Sequence, residues 1–107
     1  MEMSKYILSI LKTNLNVVWS WGTQNYIAFE NGLQFKVNGF IHKGWVIVKY
    51  NEGTDLFNIS LLNSKMINKN EVEEVYFDEL VNVIDGLVER TSNYEERVNN
   101  WLNSNAL

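Results

Sequence analysis

The spacing of apolar residues changes along the chain, and each change marks an element. From Met3 to Thr13, Tyr6, Ile7, Ile10 and Leu11 recur at three- and four-residue intervals, with Lys5, Ser9 and Lys12 opposite. That periodicity predicts an amphipathic helix, which Asn14 can end. Val17 to Trp21 is β-branched and aromatic and predicts a strand. Gly22-Thr23-Gln24-Asn25 reads as a turn and Tyr26 to Glu30 as a short strand. Asn31-Gly32 then gives a strong hairpin signal, because a type I′ turn needs positive φ at both central residues. Leu33 to Phe40, Trp45 to Tyr50 and Asp55 to Leu62 follow as strands, separated by Ile41–Gly44 and Asn51–Thr54.

Asn63 to Asn70 is polar and loop-like, and Glu71 to Tyr76 fits either a short extra strand or the start of a helix. A helix is expected from Phe77 to Arg90, burying Phe77, Leu80, Val81, Ile84, Leu87 and Val88 and exposing Asn82, Asp85 and Glu89. Ser92 or Asn93 caps a last helix with Tyr94, Val98, Trp101 and Leu102 on its apolar stripe and Glu95 and Glu96 at its positive end. Strands joined by tight turns, with helices at the ends, imply an α+β fold. The expected architecture is an antiparallel four- to five-stranded meander sheet with one N-terminal helix and two C-terminal helices, in a single domain spanning 1–107.

Side chains alternate across a strand, so loop lengths decide which residues share a face. A turn at Asn31-Gly32 sets Ala28 opposite Phe35, and a loop at Asn51–Thr54 sets Val48 opposite Phe57. An even loop at Ile41–Gly44 pairs Phe40 with Trp45 and Val37 with Val48, whereas an odd one would set Val37 beside Lys49. The core face is then Leu33, Phe35, Val37, Val46, Val48, Tyr50, Phe57, Ile59 and Leu61. The opposite face carries Lys36, Asn38, Lys49, Asn58 and Ser60, together with Ile27, Phe29, Phe40, Trp45 and Ile47, and with Trp19 or Trp21 as further members. A contiguous apolar area of that kind marks an interaction site unless the chain covers it with a third layer.

Composition narrows the function classes. The 107 residues are 46% apolar and 21% charged, with no Cys and no Pro. That excludes disulfides, thiolate metal sites and cysteine nucleophiles. No segment has the apolar length of a signal peptide core or a membrane span, so the expectation is a cytoplasmic protein that does not engage membranes. Charge is lopsided. Residues 71–107 hold nine carboxylates against two arginines, whereas residues 1–70 hold seven lysines against four carboxylates. The acidic part reads as solvated helix surface, or more sharply as a mimic of nucleic-acid phosphate or a dock for a basic partner. Glu73-Glu74 and Asp78-Glu79 could bind a divalent cation, but adjacent acids at a helix start are commonplace.

His42, the single histidine, falls in a hairpin loop with no carboxylate at a telling spacing, so neither a metal site nor a catalytic triad is implied. The glycines form no phosphate-cradling loop. No enzyme, metal or cofactor is expected. The candidate interaction surface is Phe40, Trp45, Ile47, Phe29, Lys36 and Lys49. Its partner would be a second copy or another protein. Cations beside aromatics also suit single-stranded nucleic acid, the alternative partner, although the chain is acidic overall.

The runs Val17-Val18-Trp19-Ser20-Trp21-Gly22, Asn31-Gly32-Leu33 to Gly39-Phe40 with His42-Lys43-Gly44, and Tyr76-Phe77-Asp78-Glu79-Leu80 through Val83-Ile84-Asp85 carry a resemblance. The chain resembles small uncharacterised proteins of gut Bacteroidetes, some borne on mobile elements or prophage-like regions. The resemblance implies an accessory role rather than a metabolic one and brings no activity or functional residues with it.

Overall fold

A computed structural model describes residues 2–89, and the element order is two helices, five strands and a closing helix. The helices are α1 (Glu2–Lys12), α2 (Leu15–Ser20) and α3 (Leu80–Val88). The strands are β1 (Gln24–Phe29), β2 (Gly32–Asn38), β3 (Lys43–Asn51), β4 (Leu56–Leu62) and β5 (Asn68–Val75). A 3-10 turn at Phe77–Glu79 leads into α3. The strands form one antiparallel sheet in the order β1-β2-β3-β4-β5, so the chain is α+β with a meander sheet. The helix expected from Ser92 or Asn93 lies outside the described residues. Among the described residues no helix is long and apolar enough to cross a membrane.

All three helices contribute to one apolar cluster on one side of the sheet. Ile7 and Leu11 of α1, Val18 of α2, Trp21, and Leu80, Ile84 and Val88 of α3 meet Leu33, Phe35, Val37, Val46, Val48, Phe57, Ile59 and Leu61. The expected core face is therefore the observed one, with Tyr50 partly buried beside it. The N-terminal helix joins this layer and does not cover the other face.

The structure corrects the strand expected at Val17–Trp21, which is helical through Ser20. As helix, this segment sets Val18 and Trp21 three residues apart on one face, and both are buried. Burial of that pair outweighs the β-propensity of Val and Trp, a preference that depends heavily on context. Glu71–Tyr76 resolves as strand through Val75. Phe77, expected in the core, is 57% exposed because the 3-10 turn points it outward before the α-helical spacing begins at Leu80.

Each hairpin register differs from expectation by an even number of residues. Phe29 pairs with Gly32, so the first loop is Glu30-Asn31 and Ala28 faces Leu33, not Phe35. Neither Asn31 nor Gly32 has positive φ. Gly32 is instead a strand residue, and a Cβ there would lie 2.2 Å from the Val48 carbonyl and 2.8 Å from the Phe29 ring. The β3–β4 loop is Glu52–Asp55, with Tyr50 opposite Phe57. The Asn51 side chain accepts from Gly53 N–H at 2.9 Å, and Asp55 takes φ +59.

The β2–β3 hairpin differs most. Lys36, not Phe40, lies opposite Trp45, and Val37 opposite Gly44. The loop is Gly39–His42, and the end of α3 holds it. The Val88 carbonyl accepts from Ile41 N–H at 2.8 Å and His42 N–H at 3.1 Å, and Glu89 Oε2 accepts from Phe40 N–H at 3.1 Å. Those bonds draw Gly39–His42 off the ladder and end β2 at Asn38.

Candidate interaction surface

Alternation and register build the outer face from three cross-strand rows. The first is Lys36, Trp45 and Leu62, and the second is Ile27, Gln34, Ile47, Ser60 and Glu71. The third is Phe29, Gly32, Lys49 and Asn58. Apolar side chains thus run diagonally from Phe29 and Ile27 through Ile47 to Trp45 and Leu62, with Lys36 and Lys49 on either flank. Cross-strand pairs of this kind contribute roughly 0.2–1 kcal/mol each.

The details are specific. Lys36 Nζ stands 6.0 Å from the Trp45 ring centroid, within the range of a cation–π contact. The Phe29 ring occupies the space a side chain at Gly32 would take, so an aromatic shields the glycine backbone. Ser60 Oγ donates to Glu71 Oε1 at 3.4 Å, and the Asn58 side-chain oxygen accepts from Glu74 N–H at 3.3 Å. Trp45, Ile47 and Phe29 are half-buried, Leu62 is buried, and Ile27 is 47% exposed. Among the described residues no helix lies over this face.

Of the six residues expected at the surface, Trp45, Ile47, Phe29, Lys36 and Lys49 share it. Phe40 does not. It sits in the β2–β3 loop, 61% exposed, and its backbone is tied to Glu89, so the expected Phe40–Trp45 pair does not form. Neither tryptophan of α2 and its end joins the face. Trp21 is buried on the helix side, stacked on Phe35 at 6.4 Å between centroids, and Trp19 is an exposed helix residue. Gln34 and Leu62 are members the sequence reading missed, although the parity that placed Ser60 also places Leu62.

Two carboxylates expected on the solvated side of α3 turn inward instead. Asp85 Oδ1 accepts from Trp21 Nε1–H at 3.0 Å. Glu89 is 7% exposed, and burial pushes its carboxyl above the usual carboxylate range, against the lowering effect of the Phe40 N–H bond and with Asp85 adding to the rise. The folded state therefore holds this proton more tightly than the unfolded chain does. Stability is greatest with the group protonated and falls as pH rises through its folded pKa. Glu89→Gln keeps an acceptor for Phe40 N–H and removes the buried charge. Urea titrations should show the variant more stable than wild type at pH 7, with the gap closing on acidification. A wild type that loses stability relative to the variant between pH 7 and 5 would refute this assignment.

His42 is half-buried, and its Nε2 lies 3.2 Å from the Trp45 carbonyl, so the ring braces the start of β3. An open groove of about 700 Å3 at the far end of the sheet is lined by residues including Glu30, Lys49, Tyr50 and Glu52. There the Tyr50 hydroxyl donates to Asp55, which raises the phenol pKa and favours the neutral, weakly nucleophilic phenol. Among the described residues no three His, Asp or Glu side chains converge as metal ligands. Comparison with family models, curated proteins and solved structures found no match.

Proposed function

We propose that this chain is a non-enzymatic protein-interaction module, an accessory protein whose outer sheet face, centred on Trp45 and Ile47, packs against the same face of a second copy. One observation carries the reading. The sheet has apolar residues on both sides, and the described helices all lie on one of them. Lys36 and Lys49 on β2 and β3, with Glu71 on β5, give the outer face charges of both signs, which a second copy rotated over it can match.

Light scattering on the eluting protein tests this. Trp45→Glu should halve the assembly mass while leaving the circular dichroism unchanged, because Lys36 across the ladder offers the new carboxylate a partner in the monomer. In a stacked assembly the same carboxylate would be stripped of water at a cost of several kcal/mol. A mass that ignores the substitution sinks the reading.

The Lys36–Trp45 contact favours a second reading, single-stranded nucleic acid, in which a base stacks on the indole and the ammonium meets phosphate. Binding that falls steeply with salt and is lost in Lys36→Ala/Lys49→Ala would transfer the function to that class. The acidic-mimic alternative is weakened because Asp85 and Glu89 are spent on internal hydrogen bonds.

A further inference from the structure

The two edges of the sheet are finished differently. β5 carries Lys69, Glu71, Glu73 and Glu74, shifts register between Phe57/Ile59 and Leu61/Leu62, and holds Glu74 at φ +60. Charges and bulges are how sheet edges refuse another strand. β1, at the other edge, has the sequence Gln-Asn-Tyr-Ile-Ala-Phe with no charge, and Gln24 to Ala28 are all exposed. Its register shifts between Gln24 and Ile27, where Asn25 takes φ +56, so the regular part of this edge is Ile27 to Phe29 and the contrast with β5 lies in charge.

Phe29 and Gly32 close a two-residue loop and so exchange their hydrogen bonds, as Ile27 and Gln34 then do. Ala28, between them, directs its N–H and C=O away from β2. Among the described residues no strand lies on that side. Beside the edge runs a groove of about 430 Å3 between Ser4, Lys5 and Leu8 of α1 and Tyr26 and Ala28 of β1, with Leu33 also lining it. An open strand edge beside a groove for alternate side chains is the arrangement that accepts an added strand.

We propose that β1 pairs antiparallel with β1 of a second copy, about a two-fold axis normal to the sheet through the region of Ala28. A two-fold axis in that direction keeps each face on its own side. Tyr26 and Ala28 of each copy stay on the helix side, where the groove takes the other copy's side chain. Ile27 and Phe29 of both copies extend one outer face.

Charge and symmetry select a second copy as the occupant. An uncharged strand does not repel itself. The β5 carboxylates lie four strand spacings away, roughly 19 Å, beyond a Debye length of about 8 Å. Head-to-tail addition of β1 to β5 would grow without end, but β5 is guarded, whereas β1 against β1 closes on itself. This edge is a different surface from the outer face and does not depend on the reading given to that face.

Light scattering at high micromolar concentration, on wild type and four variants, tests the edge. Ala28→Pro removes the outward donor, and Ala28→Lys sets like charges near the axis; each should halve the wild-type mass with circular dichroism retained. The lysine variant serves if the proline variant fails to fold. A monomeric wild type, or a mass that only Trp45→Glu reduces, overturns the edge pairing. A mass that only the Ala28 variants reduce upholds the edge and removes the outer-face stack. If each single change halves the mass and Trp45→Glu/Ala28→Lys is monomeric, both surfaces operate and the wild type is a tetramer.

Discussion

Replacing Trp21 with alanine is expected to lower the unfolding free energy by about 3–5 kcal/mol, seen as a lower urea midpoint at unchanged slope. Trp21 has no exposed surface and stacks nearly parallel on Phe35, with 10° between the ring planes. Its indole N–H is bonded to Asp85 of α3, and its carbonyl accepts from Asn38 N–H at 2.7 Å. One side chain therefore ties the end of α2 to α3 through Asp85 and to β2 through Phe35, while the backbone bond to Asn38 survives truncation. Truncation opens a large cavity and deprives the part-buried Asp85 of its donor. Trp19→Ala is the control. At 70% exposed it should change stability by no more than about 0.5 kcal/mol. Equal losses at the two tryptophans would show that the buried stack is not what holds these helices.

Gly39→Ala should be the second most damaging change, costing about 3 kcal/mol, the upper end of overpacking. A Cβ at Gly39 would stand 2.2 Å from the Val88 carbonyl oxygen and 2.6 Å from Val88 Cγ1. The first of these is backbone, so no rotamer change relieves it, and the end of α3 must withdraw from the β2–β3 loop. That separates Val88 from Ile41 and His42 and Glu89 from Phe40. Gly86→Ala provides a comparison of opposite sign. It sits inside α3 with nothing within 4 Å of a new Cβ, so alanine should stabilise by roughly 0.5–1 kcal/mol. Thermal melts of the two variants should move in opposite directions, and a Gly39→Ala midpoint at or above wild type would contradict the close approach.

The face of each strand was readable from the chain because parity survives small errors. The three hairpins were displaced from their expected registers by two or four residues, and an even slip leaves each side chain on its own side. Leu33, Phe35, Val37, Val46, Val48, Phe57, Ile59 and Leu61 are thus in the core as expected, even though none of them has the expected partner. What could not be read was information held by distant segments. Nothing near Gly39 says that α3 will end against it, so Phe40 was placed on a strand it never reaches. Nothing in Val17–Trp21 says that Val18 and Trp21 will both find apolar partners, so a helix looked like a strand. The acids of α3 were misassigned for the same reason, since their partners, Trp21 and Phe40, lie 64 and 49 residues away. Phe29, Lys36, Trp45, Ile47 and Lys49 share one face because that placement depends on parity alone.

The meander has a consequence for how the molecule assembles in time. Every strand joins only its chain neighbours, so sheet formation requires only short loops to close, and such local topologies fold fast. The two links across 49 and 64 residues, by contrast, close long loops and reward the protein last. Substitutions at Gly39 or Asp85 should accordingly accelerate unfolding while leaving the refolding rate nearly unchanged, as expected for contacts formed after the transition state. Weakening of the hairpins should instead slow refolding.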